Sequence, residues 1–457
     1  MMSEDTIGAI ASGVGGAVSV IRISGPDAER LCSPLWRSVS GHRVPELPPR
    51  MLTLGAFGND GECIDPSCLA VRMPGPNSFT GENVVEFHCH GGALCTRSVL
   101  AAVLKAGVRL AEPGEFSKRA FLNGKIDLVQ AEAIADMISA GSDAALKIAG
   151  NQLRGMLGSQ LRQQQNELQE LLAEVESRLD FPEEQLDWIP EEEMRSRLET
   201  LLEQVRRLAE TRACGEVLRD GVSLVIAGPP NAGKSTLLNR MLGRERAIVS
   251  EIPGTTRDTI EAMVQIHGIP FRLVDTAGIR DDASDAIENA GMERTRDSVE
   301  SAQLVLWLMD GTRPLEEQAM PADWKLSGTL LQVVNKADWE GGAGASSKGM
   351  QGQGGSAIML ISALTGAGIE ELYSAMTEAV LSGDAENTEI AVASRHAELL
   401  QRSAAEISSA LPALESGEWE LLAYHLREGL RELRGITGEV VSFDVLDTIF
   451  SRFCIGK

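Results

Sequence analysis

The chain has 457 residues and a formal net charge of -24, with 66 Asp and Glu against 42 Lys and Arg. A pI near 4.8 excludes a protein that grips nucleic acid through bulk positive charge, so any RNA partner must be met locally or with help. Seven cysteines in no tight framework exclude a disulfide scaffold and fit reduced thiols, no run suits a membrane span, and the opening MMSEDTIGAIASG lacks the basic and apolar regions of a secretion signal, so a cytoplasmic protein is expected.

The length predicts about three domains. Residues 1–122 mix short apolar runs, VSVIRISG and NVVEFHCHGG among them, with Gly and Pro breaks, the pattern of an α+β domain. Its His88-Cys89-His90 run invites a metal reading. In a strand, however, His88 and His90 share one face and Cys89 points to the other, so the three cannot converge on one ion. Residues 123–217 change character: LRQQQNELQELLAEVESRL and MRSRLETLLEQVRRLAE carry apolar residues at helical spacing, interrupted at Phe181-Pro182 and Ile189-Pro190.

Residues 218–382 hold the chemistry. The apolar run Val222–Ala227 predicts a buried strand, and TLLNRML predicts a helix, so the intervening GPPNAGKS, residues 228–235, is a phosphate-binding loop joining the two. Gly228 and Gly233 let successive N–H groups turn toward phosphate oxygens, with Asn231, Ala232 and Thr236 completing the cradle. Lys234 is placed to reach the β- and γ-phosphates as a catalytic cation, and the Ser235 hydroxyl can hold Mg²⁺. The segment Ser250-Glu251-Ile252-Pro253-Gly254-Thr255-Thr256 reads as a switch, with Thr256 closing on Mg²⁺ and the γ-phosphate. Asp275-Thr276-Ala277-Gly278 ends the strand-like FRLVD, setting Asp275 beside the metal and the Gly278 amide near the γ-phosphate.

Asn335-Lys336-Ala337-Asp338 follows LLQVV. A carboxylate at Asp338 accepts from the guanine N1–H and exocyclic amine, which adenine does not offer in that pattern, so GTP is selected over ATP. Ser362-Ala363-Leu364 follows AIMLI and resembles the base-binding SAK turn, with Leu in place of Lys. Ile279 stands where Ras-like enzymes carry a water-positioning Gln, so the attacking water must be oriented differently, with candidates in the acidic segment 280–291. The stretch GGAGASSKGMQGQGGS, residues 341–356, has the composition of a surface loop.

Helical spacing returns in residues 383–457, and the simplest organisation is one helical domain built from both flanks of an inserted nucleotide-binding domain. Arg427, Arg431 and Arg434 share a helix face that reads as solvated surface. The ending FCIGK has the outline of a prenylation box with the wrong last two residues, and Cys454 has no base beside it.

The nucleotide motifs, together with PGPNSFTGENVVE, AEPGEFSKRAFLNGKIDLVQAEAIADMI and FCIGK, resemble the MnmE (TrmE) family of tRNA-modification GTPases over essentially the whole chain. The resemblance implies a fold of an N-terminal α+β folate-binding-like domain, a discontinuous helical domain and an inserted Ras-like P-loop GTPase domain. It implies K⁺ held by Asn231, Ser250, Ile252 and Thr255 in place of an arginine finger, with Glu288 orienting the water. It implies 5-formyltetrahydrofolate or a related one-carbon folate at Arg22, Glu86, Lys125 and Lys457, although unaided reading makes Glu86 an exposed strand residue and Arg22 a surface charge. It further implies a homodimer, and a heterotetramer with an MnmG-like enzyme using FAD and NADH that modifies C5 of the wobble uridine of certain tRNAs. A regulatory Era-like switch in ribosome assembly is the alternative, and it would need a basic RNA-binding module that this acidic chain does not display.

Overall fold

The computed structural model describes residues 5–59, 61–181, 188–244, 262–274, 296–339, 358–380 and 390–457. Two compact units emerge: Met1–Ala135 with Gln152–Leu201 and Ala405–Lys457, and Asp136–Asn151 with Leu202–Ala404.

The first unit contains a seven-stranded sheet, β1 (Ile7–Ile10), β2 (Val18–Ser24), β3 (Trp36–Ser38), β4 (Thr53–Asn59), β5 (Glu62–Met73), β6 (Val84–His90) and β7 (Arg109–Leu110), ordered β3-β4-β5-β6-β2-β1-β7. All pairings are antiparallel except β1 with β7. Alternation along β2 and β6 sorts the side chains: Ile21, Ile23, Val85 and Phe87 are fully buried, whereas Arg22 and Glu86 sit directly opposite each other on the other face. The buried face meets Val99 and Val103 of the helix Ala93–Lys105 in one apolar cluster with Trp36 and Phe57. Phe57 and Phe87 meet edge to face at 4.9 Å, the arrangement their quadrupoles favour.

In the same unit the helices Met156–Asp180 and Trp419–Thr437 pack along their apolar stripes, with Leu161, Leu168, Leu171 and Val175 buried on one and Leu422, Leu426, Leu430 and Leu433 on the other. Gln165 Nε2 donates to the carbonyl of Leu433 at 2.9 Å and to Thr437 Oγ1 at 3.2 Å, so a buried amide joins the pair. Gly438, at φ 90°, stops the second helix in the left-handed conformation glycine tolerates best.

The second unit is built on β8 (Val222–Ala227), β9 (Ala262–Ile266), β10 (Ile269–Leu273), β11 (Leu304–Asp310), β12 (Thr329–Asn335) and β13 (Met359–Leu360), ordered β13-β12-β11-β8-β10-β9. Only β9 runs antiparallel to its neighbour. Every residue of β8 and β11 is buried, as expected for parallel strands covered on both faces. Leu224 and Ile226 pack with Leu237, Leu238 and Met241 of the helix Lys234–Arg244 and with Tyr373 and Met376 of the helix Ile369–Val380. Val225 and Ala227 pack with Val299, Val305 and Trp307 on the other face. The C-terminal end of β8 lies between β10 and β11, where helices pass to opposite faces and open α/β sheets bind ligands.

Candidate functional site

The loop 228–235 runs from the end of β8 into the helix beginning at Lys234, so a helix N-terminus and consecutive amides face one point. Three residues take left-handed backbone there: Gly228 at φ 145°, Asn231 at φ 63° and Gly233 at φ 96°. Two of them leave no room for a side chain, since a Cβ on Gly228 would collide with the Leu308 carbonyl oxygen and one on Gly233 with Asn335 Nδ2. Lys234 Nζ donates to the carbonyls of Gly228 and Pro229, at 3.0 Å each, which folds the amine back over its own loop.

Asn335 ties two motifs together. Its Nδ2 donates to the Ala232 carbonyl at 2.8 Å, and its Oδ1 accepts from the Ala363 N–H at 2.8 Å. One buried amide thereby fixes the phosphate loop against the Ser362-Ala363-Leu364 turn. Ser362 Oγ accepts from Thr365 N at 3.1 Å, and the turn's carbonyls at Ala363 and Leu364 receive the Arg240 guanidinium from the helix after the loop, Ala363 at 2.5 Å. The Leu364 side chain is 72% exposed, so the position where Lys is usual projects outward and the backbone carries the turn. Lys336, at φ 65°, pairs with Asp310 at 2.7 Å. Burial pulls the Asp310 carboxyl up, but the bonds from Lys336 and Thr312 outweigh it and hold it below the usual range. Asp338 is exposed.

Ser235 and Thr236 begin the helix. Ser250, Glu251, Ile252, Pro253, Gly254, Thr255, Thr256, Asp275, Thr276, Ala277, Gly278 and Glu288 lie outside the described residues.

The four residues considered for folate belong to the first unit. Arg22 Nε donates to Glu86 Oε1 at 2.7 Å, and His88 Nε2 stands 3.4 Å from Glu86 Oε2. Burial raises the Glu86 carboxyl, while the His88 bond and the Arg22 charge more than reverse that and keep it ionised. The Arg22 guanidinium carbon lies 5.6 Å from the centre of the Phe79 ring and 5.8 Å from that of Phe116, within cation–π range of both. The Phe116 N–H donates to the Lys457 carbonyl at 3.1 Å, and Gly456 is pressed against the Ile10 carbonyl, so the FCIGK segment docks beside β1 and Phe116. Lys125 Nζ donates to the Pro76 carbonyl at 3.0 Å, in the loop that carries Phe79. Arg22 and Glu86 thus pair directly, Lys457 joins them through Phe116, and Lys125 meets the loop behind Phe79.

Sequence reasoning missed Arg240, Asp310, Phe79 and Phe116, none of which has a local signal because each acts across the fold. The His88-Cys89-His90 run separates as strand alternation requires: His88 turns to Glu86, His90 to Asp65, and Cys89 is buried. Burial, first of all, pushes the Cys89 thiol up to about 12. The three arginines of the helix Trp419–Thr437 are ion-paired, Arg427 with Glu176, Arg431 with Glu428 and Glu432, and Arg434 with Glu439. Among the described residues, no helix is long and apolar enough to cross a membrane.

Family models agree with this arrangement. One described as "GTP-binding protein TrmE N-terminus" matches residues 6–125, and "MnmE helical domain" matches residues 128–454. A "tRNA modification GTPase MnmE" from Clostridioides difficile (strain 630) is 41% identical over 462 residues, covering 100% of both chains. One of the same name from Geobacter sulfurreducens is 42% identical over 468 residues, again across 100% of both. Among solved structures, this chain is similar to the cytosolic domain of the T. maritima FeoB iron transporter, which covers 47% of this chain and 96% of its own at 20% identity, with a TM-score of 0.24. Identity of this level over the full length, with both family models matched in order, means that the chain belongs to the MnmE family of tRNA-modification GTPases.

Proposed function

We propose that this GTPase hydrolyses GTP to drive modification of C5 of the wobble uridine in certain tRNAs, adding an aminomethyl or carboxymethylaminomethyl group together with a flavin- and NADH-dependent partner. The observation that carries the nucleotide half of the reading is the bracket at Asn335, which ties the phosphate loop to the turn 362–364 at the end of β8, and the tRNA half is supported by the family to which the chain belongs. GTP is bound by Asn231 to Thr236, by residues 250–256 and 275–278, and by Asn335, Lys336, Asp338 and residues 362–364 through the base.

The donor types at this site suit both cations. Ser235 and Thr256 are the hydroxyls that would hold Mg²⁺, and Asn231, Ser250, Ile252 and Thr255 the oxygens that would hold K⁺. Asn231 is exposed on that loop and takes left-handed backbone at φ 63°. Positive charge near the β- and γ-phosphates lowers the barrier as negative charge develops there. Glu288 orients the attacking water, and Lys234 leaves its resting carbonyls for the phosphates. Hydrolysis is expected to be faster in K⁺ than in Na⁺ at equal ionic strength; equal rates in a phosphate-release assay would remove the potassium assignment.

The domain layout that fits is 1–122 for folate binding and dimerisation, 123–217 with 383–457 for the helical domain, and 218–382 for the GTPase. A one-carbon folate such as 5-formyltetrahydrofolate suits the first of these. Ionised Glu86 can accept from pterin N–H groups, the rings of Phe79 and Phe116 flank the same face, and Lys125 and Lys457 can meet the folate carboxylates. The assembly is a homodimer that joins an MnmG-like enzyme in a heterotetramer in the cytoplasm. The decisive experiment digests total tRNA from cells lacking the protein and from a complemented strain, and quantifies C5-modified wobble uridines by chromatography and mass spectrometry. Their specific loss is expected; an unchanged profile would refute the tRNA assignment and favour an Era-like switch.

A further inference from the structure

A separate set of donors converges inside the N-terminal sheet, on the face away from Glu86. Asp65 of β5 is only 1% exposed, a rare place for a carboxylate. It accepts the Ser67 N–H at 3.0 Å and the His90 N–H at 2.9 Å. The carboxylate also faces sulfur. Cys95 Sγ stands 3.9 Å from Asp65 Oδ2, and one carboxylate oxygen with Sγ of Cys89 and Sγ of Cys95 all lie within 4.8 Å of one another. The three residues arrive from three elements, β5, β6 and the first turn of the helix Ala93–Lys105. Apolar packing accounts for a buried thiol. It does not account for a buried carboxylate aimed at two of them, where any ionised thiol would meet like charge.

We infer that Asp65, Cys89 and Cys95 bind a soft divalent cation, zinc before others. Thiolate and carboxylate donors sharing one tetrahedral zinc ion stand about 3.5–3.8 Å apart, so the observed set closes with side-chain movement alone. His90 Nδ1 lies 3.0 and 3.1 Å from the two Asp65 oxygens and holds the carboxylate from outside the ligand set, as ligand-orienting groups do. Binding one Zn²⁺ displaces one proton from each thiol to solvent, two in all, and leaves the site with one net negative charge facing the helix N-terminus. The fourth coordination position is left to water. His88 and Glu86, on the opposite face, take no part.

The test titrates the full chain, nucleotide-free, reduced and cleared of metal, with Co²⁺, and follows the thiolate-to-cobalt charge-transfer band and the visible bands of tetrahedral cobalt. The phosphate-loop cation site carries no sulfur and contributes no such band. Saturation is expected at one Co²⁺ per chain with the intensity of two thiolates, and Zn²⁺ should bleach it. Cys95→Ser, at a partly buried position, should halve the charge-transfer intensity and weaken binding at least tenfold. His90→Ala should weaken binding about tenfold with the band unchanged, and Cys454→Ser should change nothing. Cys95→Ser and His90→Ala carry the test even if the buried Cys89→Ser misfolds. Absence of a thiolate band at one equivalent of Co²⁺ in the unsubstituted chain, or an undiminished band in Cys95→Ser, would overturn the site.

Discussion

The nucleotide site and the N-terminal sheet place their working residues by different means. Around β8 they follow strand ends, where a parallel sheet exposes backbone amides and short motifs must supply specific turns. In the N-terminal sheet they are ordinary side chains, brought opposite one another by register: Arg22 meets Glu86 only because β2 pairs with β6 at that pair. A site made of loops announces itself in consecutive letters, whereas a site made by pairing is dispersed among them.

That contrast can be broken or sharpened by substitution. The largest effect is expected at Asn335→Ala, which leaves the Ala232 carbonyl and the Ala363 N–H without partners in a buried setting, at about 1–3 kcal/mol each. GTP affinity should fall by about a hundredfold, ~3 kcal/mol, in a fluorescent-nucleotide titration, with folate binding retained. A loss under threefold would show that the bracket is dispensable.

Next comes Arg119→Met in the N-terminal unit. Arg119 is 4% exposed and pairs with Asp5 at 2.7 Å, Glu115 at 2.9 Å and Glu82 at 3.3 Å. Removing it takes one of two arginines from Asp5 and Glu115, which Arg109 still holds, and the ion pair from Glu82, which keeps the Ser24 hydroxyl, at a cost of about 1–3 kcal/mol, seen in urea unfolding, with GTP binding unchanged. The pH dependence has a definite sign. Burial raises the Glu115 carboxyl, but Arg109, the Glu112 amide and Arg119 hold it below its ordinary value. A depressed folded-state pKa stabilises above the ordinary carboxylate range and loses that contribution as pH falls through the folded value. The gap between the unsubstituted chain and Arg119→Met should therefore narrow as pH drops below about 4.3. A gap that widened there would contradict the assignment.

Glu86→Gln is expected to weaken 5-formyltetrahydrofolate about tenfold, ~1.4 kcal/mol, in a fluorescence titration, while leaving K⁺-stimulated hydrolysis intact. Affinity equal to the unsubstituted chain would move the pterin elsewhere. The smallest change is Leu364→Lys, which restores the usual residue on an exposed side chain whose backbone Arg240 already holds. A gain of about 0.5 kcal/mol in GTP binding is the expected scale for an exposed charge, and a tenfold gain would mean that the side chain, not the turn, governs base recognition.

The legibility of the two regions follows from the same physics. The phosphate loop, NKAD and the SAL turn were readable because glycine, asparagine and aspartate have few other reasons to occur in that order at strand ends. Arg240 was not, because its task is to hold two carbonyls more than a hundred positions away. The Leu-rich spacing of residues 160–178 revealed a helix, but no local feature of it names Leu433 and Thr437 as the partners of Gln165. Phe79 and Phe116 read as ordinary apolar residues until the fold stacks both near Arg22, and Asp65 reads as one acid among 66 Asp and Glu until the sheet buries it beside two thiols.

The pairing of Gln165 with Leu433 and Thr437 spans 268 and 272 residues. As an open loop, such a span costs about 5 kcal/mol in closure entropy, of the order of (3/2)RT ln n. Early folding of the residues between would replace that slack with a short tether, so the order of events, rather than the final contacts alone, sets how readily these two helices find each other. On a ribosome adding about 5–20 residues per second, the earlier helix waits on the order of ten to fifty seconds for its partner. Through that interval the leucines that the helix Trp419–Thr437 covers in the finished fold lack that partner.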